Sequence, residues 1–152
     1  MKKSIGRLMS ILHRQSQIYI NYSLREFNIT SSEYSFLLSL YRKEGVTQDE
    51  LSSYLHIDKS ATTRAIRSLE EKGLVTRNKD DVDKRFNRVY LTEKANNFKD
   101  KIRERVFHWS EFLSEDLDEE TSDMVYDVLE KMVDKVEGTD FKKLMEEKVW
   151  NM

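Results

Sequence analysis

Nowhere in its 152 residues does this chain contain a proline. At an average usage of about 5%, roughly seven or eight would be expected. A proline inside a helix removes a backbone hydrogen bond and clashes with the preceding turn, so its absence favours long uninterrupted helices. Only four glycines are present, which argues further against a loop-rich all-β fold. The length suits one domain, or one domain plus a helical appendage, with enough chain to bury a proper core. No cysteine is present either, which removes disulfides, thiolate nucleophiles, thiol redox sensing and cysteine-based metal sites. No run approaches the ~18 apolar residues of a membrane span. Met1-Lys2-Lys3 begins like a signal peptide, but Arg7, Ser10 and His13 interrupt the apolar stretch that one needs. The expectation is a mainly helical, cytoplasmic protein with no membrane segment.

Periodicity divides the chain into elements. Ile5, Leu8, Met9, Leu12, Ile18, Tyr19 and Tyr22 recur mostly at helical spacing and predict a first helix over about 4–26. Thr30 with Glu33 fits a capping box opening a second helix, with Tyr34, Leu37, Leu38 and Tyr41 on one side and Gly45 as its C-terminal cap. Thr47 with Glu50 is another capping box, starting a short helix that buries Leu51 and Leu55. His56-Ile57 makes a tight turn, and Asp58 is the N-cap of a helix over 59–72 that Gly73 closes. The pattern then alternates: Leu74 to Arg77 and Arg88 to Leu91 read as two strands joined by a long polar tip. Thr92 caps a helix to about Leu113, and Asp118 opens another in which Met124, Val125, Val128, Leu129, Met132, Val133 and Val136 form one stripe. Gly138 ends it, and 139–152 read as a last helical turn or two.

Helix, tight turn, helix, strand, long tip, strand is the order of a helix-turn-helix followed by a β wing. The second helix of such a motif needs one apolar face for the domain and one polar face for the major groove. Helix 59–72 divides this way. Thr62, Ala65, Ile66 and Leu69 face inward, while Lys59, Ser60, Thr63, Arg64 and Arg67 fall opposite, three cations and two hydroxyls with no acid. Such side chains reach phosphates and base edges. The net charge of −2 hides this, because 59–92 hold nine basic and five acidic residues. Residues 93–152 carry seventeen acids against ten bases. Double-stranded DNA is the partner these observations favour.

The run from Thr47 to Thr92 resembles the winged helix-turn-helix core of the MarR family of bacterial transcription regulators. The resemblance is carried by Arg64-Ala65-Ile66-Arg67-Ser68-Leu69-Glu70-Glu71-Lys72-Gly73-Leu74-Val75-Thr76-Arg77 and by Asp83-Lys84-Arg85 with the downstream Val89-Tyr90-Leu91-Thr92. It implies a mainly α fold with a small β wing. One domain over 1–152 would hold a DNA-binding lobe at 46–92 and helical dimerisation regions at 1–30 and 93–152. It also implies a homodimer on a pseudo-palindromic operator, most often as a repressor relieved by a small aromatic or phenolic acid. By matching position, Arg85 would be the wing's minor-groove arginine, and Asp83 a brace for a nearby arginine, with Arg77 the candidate. Lys79 and Lys84 are either phosphate contacts or solvated.

The homodimer also follows from the residues. Phe98, Ile102, Val106, Phe107 and Trp109 need cover, for which a second copy is the economical solution and an intrachain bundle the alternative. Arg14 on the first helix and Tyr34 at the start of the second are the candidate anchors for an anionic aromatic acid. In the competing arrangement Arg14 pairs with an acid of the C-terminal third and Tyr34 is core. No metal, cofactor or catalytic role is expected. His13, His56 and His108 stand alone in separate elements, Glu119-Glu120 and Glu146-Glu147 read as solvated faces, and no glycine-rich phosphate loop exists. The rival reading is a winged helix that binds protein rather than DNA.

Overall fold

The computed structural model describes residues 2–147. Helix α1 (Ile5–Ser23) is followed by a 3-10 turn (Arg25–Phe27) and α2 (Tyr34–Arg42). A two-residue strand β1 (Val46–Thr47) leads into α3 (Gln48–Leu55) and α4 (Lys59–Glu71). The hairpin β2 (Val75–Lys79) and β3 (Asn87–Leu91) comes next, then α5 (Glu93–Ser114), α6 (Glu119–Glu137) and α7 (Phe141–Glu147). The fold is therefore mainly helical with a small antiparallel sheet, as the sequence implies. The end of the last predicted helical stretch, 148–152, lies outside the described residues. Among the described residues no helix is long and apolar enough to cross a membrane.

Local chemistry explains most boundaries. Thr47 Oγ1 accepts from the Glu50 N–H (3.1 Å), Asp58 from Ala61 (2.8 Å), Thr92 from Ala95 (3.2 Å) and Asp118 from Thr121 (2.8 Å), each closing an N-terminus. Gly73, at φ +73°, ends α4, with its N–H on Glu70 and that of Leu74 on Leu69. That pairing satisfies the last carbonyls of the helix.

Gly45 departs from expectation. Helix α2 stops at Arg42 with an extended Lys43 as its cap, so Gly45 is not the helix cap. It sits at φ +79°, donates to the Val89 carbonyl at 2.8 Å and passes beneath Tyr90, whose ring a Cβ would approach to 3.2 Å. A glycine is required there to lead the chain into β1. That strand pairs Val46 with Val89 and Thr47 with Arg88, giving a three-stranded sheet of order β1-β3-β2. Two residues are too few to show alternation, so β1 is not visible in the sequence.

The described chain divides into two compact units after Ser110. In the first, Ile20, Leu24, Phe36, Leu37, Leu40, Leu51, Ile66, Leu69, Leu74 and Val89 form one buried core. The first turns of α5 belong to it. Ala95 and Ile102 are buried, Tyr41 donates to the Ala95 carbonyl (2.5 Å) and Tyr19 to that of Arg105 (2.6 Å). Phe98 packs on Phe27 and Trp109 stacks on Tyr19, with ring centroids 4.9 and 5.0 Å apart. Of the aromatic and aliphatic residues expected to need a partner, Ile102 is thus buried within the chain, and Phe98, Val106 and Trp109 are partly covered. Phe107 remains 62% exposed. In the second unit, α6 buries none of its residues, and Val125, Val128, Leu129, Val133 and Val136 are all exposed.

Candidate nucleic-acid interface

Helix α4 presents the two faces that its sequence demands. Thr62, Ala65, Ile66 and Leu69 are buried, and Lys59, Ser60, Arg64 and Arg67 are exposed, with Thr63 half-buried beside them. Thr62 is tied down by Ser52 of α3 at 2.8 Å, which fixes the angle of the helix-turn-helix pair. Lys59 approaches Asp49 at 3.7 Å, a loose and largely exposed pair. Thr63 donates to the Lys59 carbonyl (2.9 Å) and accepts from Gln48 Nε2 (3.5 Å).

The wing is internally braced. Asp80 accepts the N–H groups of Val82 (3.1 Å) and Asp83 (2.9 Å) and pairs with Arg88, whose other nitrogen reaches the Gly45 carbonyl at 2.7 Å. This curls the tip so that Asp83 faces Arg85. The Asp83 carboxylate receives Arg85 Nε (3.0 Å), Nη2 (2.7 Å) and backbone N–H (3.1 Å). The Arg85 guanidinium and backbone N–H hold the Asp83 carboxyl below its ordinary value, and the carboxylate in turn raises that of Arg85.

The expected Asp83–Arg77 pair does not form. Arg77 lies in β2 and is gripped by Glu70 of α4 through Nε (3.1 Å) and Nη2 (3.0 Å), while Asp83 at the tip faces the arginine two residues on. Lys84 and Lys79 are exposed. Between α3, α4 and the wing runs a groove of about 230 Å³ lined by Gln48, Lys59, Thr63, Arg77, Arg85 and Asn87, among others. Gln48 Oε1 is buried there without a hydrogen-bond partner. Sequence reasoning missed Gln48, Glu70, Asp80 and Arg88. The run of Asn and Asp residues at the tip was a signal for the Asp80 turn.

A second cleft, of about 630 Å³, opens between α1, the start of α2 and α4. Tyr34 lines it with His13, Gln17, Glu33, Arg64 and Lys72. Arg14 does not: one residue turns a helix by about 100°, which carries Arg14 off the His13–Gln17 face onto exposed surface. The cleft's cations, Arg64 and Lys72, come from α4 and its C-cap. Burial raises the Tyr34 phenol above its ordinary pKa, so it stays a neutral donor.

A braced basic wing beside an outward helix face that carries Lys59, Arg64 and Arg67 defines a winged helix-turn-helix protein. Residues 29–86 match the MarR family model. An HTH-type transcriptional regulator of Bacillus subtilis, YwoH, is 35% identical over 100 residues, covering 66% of this chain and 72% of that protein. The crystal structure of a MarR transcriptional regulator from Methanosarcina mazei is 37% identical, with a TM-score of 0.83 over 86% of this chain and 94% of that one. A MarR protein from Peptoclostridium difficile is 28% identical at a TM-score of 0.86, with 90% of each chain covered. The chain belongs to the MarR family of transcriptional regulators.

Proposed function

We propose that the chain binds a specific DNA operator as a homodimer and represses transcription until a small anionic ligand lowers its affinity. The outward face of α4 carries this reading, with the three cations Lys59, Arg64 and Arg67 and the hydroxyls of Ser60 and Thr63 standing beside the braced Arg85. Ser60, Thr63 and Arg64 would meet base edges, Lys59, Arg67 and Lys84 phosphates, and Arg85 the minor groove. One reader helix per chain and the exposed apolar stripe of α6 support a two-fold dimer. Selection from random 30-bp duplexes followed by footprinting tests this. The expected result is a pseudo-palindrome with half-sites about 10 bp apart or a multiple of that. Arg64→Ala should relax base preference at a cost of about 1–3 kcal/mol. Enrichment of no duplex would leave the protein-binding reading instead.

The ligand reading rests on the cleft. Arg64 supplies the charge there, Lys72 being paired with Glu33, and Tyr34 supplies a ring and a neutral hydroxyl, which suits an aromatic carboxylate. Salicylate at millimolar levels should weaken operator binding, and Tyr34→Phe should blunt that response while Arg14→Ala leaves it intact. No change in affinity across several such acids would remove this ligand class.

A further inference from the structure

Glu33, at the start of α2, is 2% exposed. Its Oε1 accepts the Thr30 N–H (3.0 Å), the Thr30 hydroxyl (2.7 Å) and Lys72 Nζ (2.7 Å), and its Oε2 accepts the Ser68 hydroxyl (2.7 Å). Lys72 Nζ also donates to the Asn28 carbonyl at 2.7 Å. One carboxylate, on the N-cap of α2, thus joins the loop before that helix to two points on the C-terminal half of α4 and its cap. Burial pushes the Glu33 carboxyl up, but the bonds from Lys72, Ser68 and Thr30 outweigh it and leave its pKa lowered.

A buried ion pair is a poor way to add stability, since apolar residues of the same volume serve as well or better. What it adds is direction. The apolar face of α4, Ala65, Ile66 and Leu69, is held by contacts that tolerate a small rotation about the helix axis. The Glu33 bonds do not, because Ser68 and Lys72 are one turn apart on the same stripe as Arg64. Rotating α4 breaks them and re-aims Arg64 together. Hydrogen bonding to base edges requires that aim to be fixed.

We propose that Glu33 is a positioning residue for DNA reading, setting through Ser68 and Lys72 the rotation at which Arg64 and its neighbours meet the bases. This rests on α4 being the DNA-reading helix. The test uses the full chain, the duplex that the wild type enriches from a random 30-bp pool, and a scrambled duplex of equal length. Glu33→Gln should lose about tenfold on the enriched duplex and little on the scrambled one, with the salt slope of binding unchanged because no phosphate contact is lost. Lys72→Met should behave alike, and the double variant should be no weaker than the weaker single one. Ser68→Ala, which leaves no unpaired buried charge, should cost about threefold on the enriched duplex alone and serves if Glu33→Gln does not fold. Thermal unfolding of each variant shows that it is folded at the assay temperature. A folded Glu33→Gln with its preference for the enriched duplex intact would overturn the proposal, as would a salt slope lowered by about one in Lys72→Met. If the wild type enriches no duplex, the DNA-reading assignment fails first, and this one with it.

Discussion

Arg85 shows how a single side chain at the wing tip is held in one orientation. Its side chain is 84% exposed, where solvent screening leaves an ion pair little to contribute to folding. The bidentate grip of Asp83 therefore matters for where the guanidinium points, since an arginine already held in its fork geometry loses less entropy on binding. Charge and orientation make opposite predictions here. Removing Asp83 makes the wing more positive, and electrostatics alone would tighten DNA binding. If the brace governs, Asp83→Ala weakens operator binding by several-fold with no fall in the salt slope, whereas Arg85→Ala weakens it and lowers the slope by about one. A gel-shift salt series on both variants decides between them, and tighter binding by Asp83→Ala would refute the brace. Which arginine Asp83 would hold was not legible in the sequence. Arg77 lies on the strand before it and Arg85 just after it, and the Asp80 turn, which curls the tip, selects Arg85.

At the scale of elements, legibility followed locality. The two faces of α4 and its Asp58 and Gly73 ends could be read because capping and helical period act within a few residues. Glu33 was read only as a local capping partner of Thr30. That bond forms, but the same carboxylate also reaches Ser68 and Lys72, 35 and 39 residues on, and no local pattern encodes such a contact. Likewise β1 exists because β3 pairs with it, not because Val46-Thr47 favours a strand. The α2–α4 tie has a consequence for stability against pH. Glu33 has a folded pKa below its unfolded value of about 4.3. Its contribution is therefore complete above about pH 5 and is lost as pH falls through the folded value. Denaturant unfolding of wild type and Glu33→Gln should differ most near neutral pH and converge as acid protonates the carboxyl. A difference that stays constant down to pH 3 would show that the charge of Glu33 contributes nothing.

For the whole molecule, the decisive feature is apolar surface left uncovered by a single chain. Val125, Val128, Leu129, Val133 and Val136 stay 42–51% exposed along α6, and Ile5, Leu8, Met9 and Leu12 47–56% along α1. Isolated exposed hydrophobics are ordinary on a protein surface, but two contiguous helical stripes are not. Covering them with a second copy would also place two α4 helices on one duplex, so that the second half-site is met at the millimolar effective concentration of a tethered partner. Leu129→Glu puts a charge in the middle of the α6 stripe, where it costs little in a monomer because the position is already half open to water. The expected outcome is a monomer by sedimentation, folded by circular dichroism, with operator affinity reduced by about a hundredfold and the footprint shortened to one half-site. Retained dimer mass would place the subunit interface elsewhere than on α6. A monomer that still binds the full operator as tightly would break the link between dimerisation and DNA affinity, leaving each recognition helix to act alone.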